Sequence, residues 1–133
     1  MPGKSLVLVD SSVWIDYFRQ GPKAIVVTLD TLLEAGEVAV SGLVYSEIVP
    51  FIRNEREQRE IEDLLRSQHY LSFDDSDWTM VLKLQGILQK KAGTFATVPD
   101  LILAAICIRH RVRLFTLDRH FQVIARYSDL QLL

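Results

Sequence analysis

Leu6-Val7-Leu8-Val9 is a continuous apolar run rich in β-branched residues, stopped by Asp10-Ser11-Ser12. Unbroken rather than alternating apolarity predicts a strand covered on both faces, as in a parallel sheet. Aspartate and serine start helices, so a helix is expected over residues 13–19, closed by Gly21-Pro22. Ile25, Leu29, Leu32 and Leu33 recur at helical spacing within residues 23–35, with Gly36 as the stop. Val38-Ala39-Val40 reads as a second strand, and Ser41-Gly42 opens a third helix that Pro50 should break or kink. A highly charged helix over residues 55–67 turns Ile61, Leu64 and Leu65 inward, and a third strand is expected at 70–73. Residues 77–91 form an amphipathic pattern ending at Gly93, and Pro99 opens a very apolar helix to about Arg109. A fourth strand at 114–117 ends at Asp118, followed by a short helix and a terminal strand at 130–133.

Strands alternating with helices imply a parallel β-sheet flanked by helices on both faces, a three-layer α/β/α arrangement. The 133 residues suit one domain, and no repeat or linker divides residues 1–133. With 49% apolar and 24% charged residues, disorder is excluded for most of the chain. The net charge of −2 argues against a nucleic-acid binder that works by bulk positive charge, although a local basic surface remains compatible with it. Cys107 stands alone, so neither an internal disulfide nor a cysteine zinc site is expected, and a reducing compartment follows. The N-terminal stretch has only four consecutive apolar residues and the longest run, 101–108, has eight. Neither a signal peptide nor a membrane span is expected, and the location read from this is cytoplasmic.

Open parallel sheets bind ligands beyond the carboxyl ends of their strands. Asp10 follows the first strand there, Asp118 follows the fourth, and Asp100 opens the apolar helix. Each can be read as a helix cap, but three at one sheet edge repel one another. Two unit charges about 5 Å apart at an effective dielectric near 20 cost roughly 3 kcal/mol, a cost that a cation relieves. On the third helix Leu43, Glu47 and Phe51 form one stripe, beside Val44 and Ile48. Glu47 is therefore expected in a face that ought to be buried, where a glutamate needs a partner such as a metal ion.

The segments 9–16 (VDSSVWID), 46–48 (SEI), 99–105 (PDLILAA) and 116–121 (TLDRHF) resemble the PIN-domain nucleases, and the size is similar to VapC-type ribonuclease toxins of toxin–antitoxin pairs. The resemblance runs from the first strand to the last helix, with the four acids in order at separations of 37, 53 and 18 residues. It implies an endoribonuclease that uses Mg²⁺ or Mn²⁺, since hard carboxylate oxygens suit those ions. By the same resemblance Asp10, Glu47, Asp100 and Asp118 are the catalytic and metal-binding acids. Asp10 and Asp100 would be the principal ligands, and Glu47 and Asp118 would hold a second ion or the attacking water. Ser11, Ser12 and Thr116 match hydroxyl positions that orient them. Hydrolysis would leave a 5′-phosphate and a 3′-hydroxyl. The implied partners are an RNA substrate, a cognate antitoxin that covers the acids, and a second copy of the chain, giving a homodimer and a toxin–antitoxin hetero-oligomer. Three departures stand out: Arg111 sits where relatives often carry a helix-ending glycine, Pro50 interrupts the helix shortly after Glu47, and His120 stands where an acid is frequent. Arg111 and His120 would alter RNA contacts and leave the four acids in place.

Five of the fifteen basic residues crowd into positions 109–126. Arg109, Arg111, Arg113 and Arg119 are candidate RNA-binding residues, with helix C-terminal complementation as the other reading of Arg109 and Arg111. Trp14 and Phe18, one turn apart, are either core or an exposed anchor for the antitoxin. Asp16, Asp30, Asp74, Asp75 and Asp77 read as solvent or cap positions, Cys107 as core, and His69 and His110 as surface residues. The alternatives are a PIN-type nuclease in housekeeping RNA processing and a non-catalytic α/β interaction module whose acids only cap helices. A phosphatase with an aspartyl nucleophile would need a second aspartate at position 12, which is Ser12.

Overall fold

The computed structural model describes residues 5–133; residues 1–4, the start of the segment read as no leader, lie outside the described residues. Strand β1 (Val7–Val9) leads into α1 (Ser11–Phe18) and α2 (Lys23–Glu34), then β2 (Val38–Val40) and α3 (Gly42–Ile48). A 3₁₀ turn at Val49–Phe51 holds Pro50, so the proline ends α3 as its missing donor requires. Next come α4 (Glu55–Arg66), β3 (His69–Tyr70), a 3₁₀ turn at Asp75–Asp77 and α5 (Trp78–Ile87). A π turn at Leu88–Ala92 precedes α6 (Val98–His110), and β4 (Arg113–Phe115) and α7 (His120–Arg126) complete the order.

The four strands form one parallel sheet in the order β3-β2-β1-β4. Every residue of β1 and β2 is fully buried, which is why their sequences are apolar without alternation. The helices cover both faces, as the expected three-layer arrangement requires. From β1 the chain adds β2 and β3 on one side, then returns to place β4 on the other. The order therefore reverses between β1 and β4, and the crevice beyond their carboxyl ends is the topological switch point.

Several boundaries differ from the sequence reading. Strand β4 stops at Phe115 instead of Leu117, because the Thr116 hydroxyl donates to Asp10 Oδ2 (2.8 Å) and the Leu117 N–H donates to Ser12 Oγ (3.1 Å). These bonds draw both residues off the ladder and into the crevice. Strand β3 is only two exposed residues, since Ser72 and Asp74 turn away to meet Arg109. The terminal strand shrinks to one bridge, Leu114 to Leu132, flanked by Leu114 N–H to Gln131 O and Leu133 N–H to Leu114 O (both 2.9 Å). The 77–91 helix widens into the π turn before Gly93, whose φ of 62° ends it in the left-handed region.

Arg111 takes that same region at φ 57° and ψ 45°, ending α6 where a glycine would carry no side-chain penalty. Trp14 is fully buried and stacks on Phe18 at 5.6 Å, so it belongs to the core and anchors no partner. Its Nε1 is the one buried side-chain polar atom without a hydrogen bond among the described residues. Cys107 is buried as expected, and burial pushes its thiol far up.

Candidate active site

Asp10 caps α1 at the carboxyl end of β1 and is 7% exposed. Its Oδ1 accepts the Ser11 N–H at 2.8 Å, and its Oδ2 accepts the hydroxyls of Ser12 (2.9 Å) and Thr116 (2.8 Å). Thr116 arrives from the end of β4, 106 residues away, so the strand pairing itself brings donor and acceptor together. Its oxygen also accepts the Asp118 N–H at 3.0 Å, fixing the backbone that carries the fourth acid. Ser11 Oγ lies 3.2 Å from Glu47 Oε1 and 3.5 Å from Asp10 Oδ1, bridging the first two acids. The three hydroxyls expected to orient the acids therefore do contact them.

Electrostatics ties the remaining acids to this group. Burial raises the Glu47 carboxyl above its ordinary value; the Ser11 hydroxyl opposes this, and the charges of Asp10 and Asp100 reinforce it. Burial likewise raises Asp100, and Asp118 and Asp10 push it further, against the lowering effects of Thr97 and His120. Among the described residues no lysine or arginine pairs with any of the four.

Two features depart from the sequence reading. Glu47 is exposed at the crevice rim and is not in the buried face of α3, which Val44 and Ile48 occupy instead. Phe51, its stripe partner, is 78% exposed, because the turn at Pro50 swings it outward. His120, expected only to modify RNA contacts, sits with Asp100 and Asp118 such that one ligand atom from each lies within 4.8 Å of the others. Its Nδ1 is 3.2 Å from Asp118 Oδ1, and its N–H donates to the same oxygen at 2.9 Å. The sequence signal was the Asp118-x-His120 spacing at the start of α7. Thr97, which caps α6 and accepts the Asp100 N–H at 3.4 Å, was also missed in favour of Pro99.

The basic residues divide. Arg119 flanks Asp118 at the crevice, whereas Arg109 lies nine residues along α6 from Asp100, about 13 Å away. Its Nε contacts Asp77 Oδ1 at 2.7 Å and its Nη2 contacts Ser72 O at 2.7 Å and Asp74 Oδ2 at 3.4 Å. Asp77, read as a solvent or cap position, is thus a buried ion-pair member. Arg111 and Arg113 sit at the amino-terminal edge of the sheet, where Arg113 pairs with Val7.

Asp100, Asp118 and His120 bring one ligand atom each within 4.8 Å of the others, and this oxygen-rich set, with Asp10 and Glu47 acting on it electrostatically, fits a divalent cation. Comparison with known proteins agrees with this architecture. VapC ribonuclease Mb1587 of Mycobacterium bovis is 29% identical over 129 residues, covering 95% of this chain and 96% of its own. Ribonuclease VapC11 of Mycobacterium tuberculosis H37Rv matches with the same identity and coverage. Among solved structures, VapBC2 from Rickettsia felis bound to a promoter DNA fragment superposes with a TM-score of 0.77 at 18% identity, over 96% of this chain and 97% of that one. The sequence profile of the PIN domain matches residues 7–127, and the chain belongs to the PIN domain family.

Proposed function

We propose that this protein is an endoribonuclease dependent on Mg²⁺ or Mn²⁺ that acts as the toxin of a toxin–antitoxin pair. The observation that carries the reading is the crevice at the β1–β4 switch point, where Asp10, Glu47, Asp100 and Asp118 act on one another and no arginine or lysine pairs with any of them among the described residues. The VapC ribonuclease relatives support RNA as the substrate.

Asp10 and Asp100 would be the principal ligands, Asp118 and Glu47 would complete the set, and His120, grouped with Asp100 and Asp118, would add a nitrogen donor. A divalent cation bound there supplies charge neutralisation and polarises the scissile phosphodiester. The chain's own task is preorganisation. Ser12 and Thr116 hold Asp10 Oδ2, so that carboxylate cannot rotate when charge develops nearby. Ser11 engages Glu47 Oε1 and leaves Oε2 free to hold the attacking water. Arg119 is placed to meet a phosphate of the substrate.

The antitoxin seat is the groove beside Glu47, of about 380 Å³, lined by Ile15, Phe18, Ile48, Phe51 and Ile61. Phe18 serves there and Trp14 does not. A homodimer joined through helices completes the assembly, and the protein works in the cytoplasm.

The test is sequencing of RNA ends after brief expression of wild type and of Asp100→Asn. Wild type should arrest growth and generate new 5′-phosphate ends, and the variant should lose at least about 100-fold in cleavage. Purified wild type should also gain more melting temperature from Mn²⁺ or Mg²⁺ than the variant does. Growth without arrest by an active enzyme would return the protein to housekeeping RNA processing. Equal cleavage by both proteins would reduce the acids to helix caps.

A further inference from the structure

A hollow of about 150 Å³ opens on the acids, with Asp100, His120, Phe95, Thr94 and Val123 in its wall. A second, wider trough of about 610 Å³ shares Thr94 and Val123 with it and is lined on its far side by Lys91, Arg126 and Gln122. Asp100, an aromatic ring and two cations therefore line two adjoining hollows that together form a depression between the π turn and α7.

Phe95 is 67% exposed and shares the wall of the hollow with Val123, 37% exposed, so an accessible apolar surface lies beside Asp100. The loop that bears it is pinned. The Gln85 side-chain amide donates to Ala96 O at 2.8 Å, and its carbonyl oxygen accepts the Ala96 N–H at 3.0 Å. The Thr94 N–H reaches back to Leu88 O at 3.3 Å. A ring held out on a fixed loop binds without a further ordering cost. Lys91 and Arg126 are exposed and form no ion pair among the described residues, whereas Arg56 and Arg66 on α4 are neutralised by Glu60 and Glu62. An exposed ring followed by unpaired cations is the pattern that takes unpaired bases and their phosphates. The groove beside Glu47 also has aromatic rings and cations, Phe18 and Phe51 with Arg19 and Arg53, but it adds four isoleucines and the acid Glu57, a mixture that suits a protein helix instead.

We propose that single-stranded RNA leaves the acid crevice along this depression, with a base beside the scissile phosphate stacked on Phe95 against Val123, and with later phosphates on Lys91 and Arg126. The proposal rests on the ribonuclease reading and adds to it a direction for the substrate and a requirement for unpaired bases.

The two kinds of contact leave different signatures. A short fluorescein-labelled single-stranded RNA of mixed sequence is titrated, by anisotropy, into full-length Asp100→Asn protein with Mg²⁺ at several salt concentrations. Adding Phe95→Ala should weaken binding about tenfold with an unchanged salt slope, since stacking releases no counterions. Adding Lys91→Ala with Arg126→Ala should also weaken binding, and should reduce the slope of log K against log salt by about 1.4, two phosphates' worth for a single strand. Arg56→Ala, on a different face, should change neither. All these side chains are exposed, so melting temperatures should stay within a degree or so of the parent.

Full RNA affinity in the Phe95 and Lys91/Arg126 variants, while wild type cleaves RNA, overturns the track and leaves the nuclease reading intact. Competition by poly-glutamate as strong as that by RNA overturns it too, because carboxylates reward the cations but not the ring. If wild type neither binds nor cleaves RNA, the nuclease reading fails and the track fails with it.

Discussion

The two ends of α6 handle carboxylates in opposite ways. At its carboxyl end Asp77, 3% exposed, is neutralised by Arg109, which also ties down Asp74 and the Ser72 carbonyl. Asp77 Oδ2 further accepts the Asp74 N–H at 2.8 Å, so its oxygens are satisfied from within the chain. At the amino end Asp100 faces Asp118, Asp10 and Glu47, and the neighbours are hydroxyls and one histidine. Hydroxyls orient a carboxylate but do not cancel its charge. The fold thus builds its own counterion where the acid is structural and, among the described residues, pairs none with the acids at the opposite end, as the proposed cation site requires.

That contrast can be broken from either side. The largest effect is expected at Arg109. Arg109→Met strands the buried Asp77 charge and should lower stability by about 3 kcal/mol in urea unfolding. Adding Asp77→Asn should recover part of this, because the amide oxygen still accepts from Asp74. A loss below about 1 kcal/mol would mean that the pair is only a surface contact.

Thr116→Val comes next. It removes one of two hydroxyls on Asp10 Oδ2 and the acceptor for the Asp118 N–H, and should cut RNA cleavage about tenfold with the fold intact by circular dichroism. Cleavage equal to wild type would show that Ser12 alone positions Asp10.

The smallest effect is a gain. Glu47→Gln keeps an oxygen for Ser11 while removing a charge that its neighbours disfavour, so in EDTA the melting temperature should rise by about 1–3 °C at pH 7. The sign follows from linkage. Glu47 binds its proton more tightly folded than unfolded, so its contribution to stability is full at low pH and is lost as pH rises through the folded value. The advantage of the variant should therefore vanish as pH falls through the carboxylate range. A variant less stable than wild type at pH 7 would show that the acid end is not repulsive.

Much of this was legible in the chain. Apolar strands without alternation, each ended by polar helix-starting residues, specify the parallel sheet, and the sheet specifies the rim where the acids lie. Asp10, Asp100 and Asp118 follow from position alone. Glu47 was placed on the correct helix for the wrong reason: a helical wheel shows which residues share a face but not what covers that face. The Arg109–Asp77 pair was illegible because its members are 32 residues apart and join elements that only the tertiary packing of α5 against α6 brings together. The early end of β4 was hidden in the same way, since Thr116 and Leu117 read as strand until their partners on α1 are known.

The bond between Thr116 and Asp10 has a temporal consequence as well. At a ribosomal rate of about 5–20 residues per second, the 108 residues from Asp10 to Asp118 take about 5–20 s to synthesise. Throughout that interval the emerging polypeptide has its first acid but lacks the hydroxyl that steadies it and the last acid of the set. Strand β4 must therefore be made before the first acid can be held, and no chain shorter than 118 residues contains all four acids.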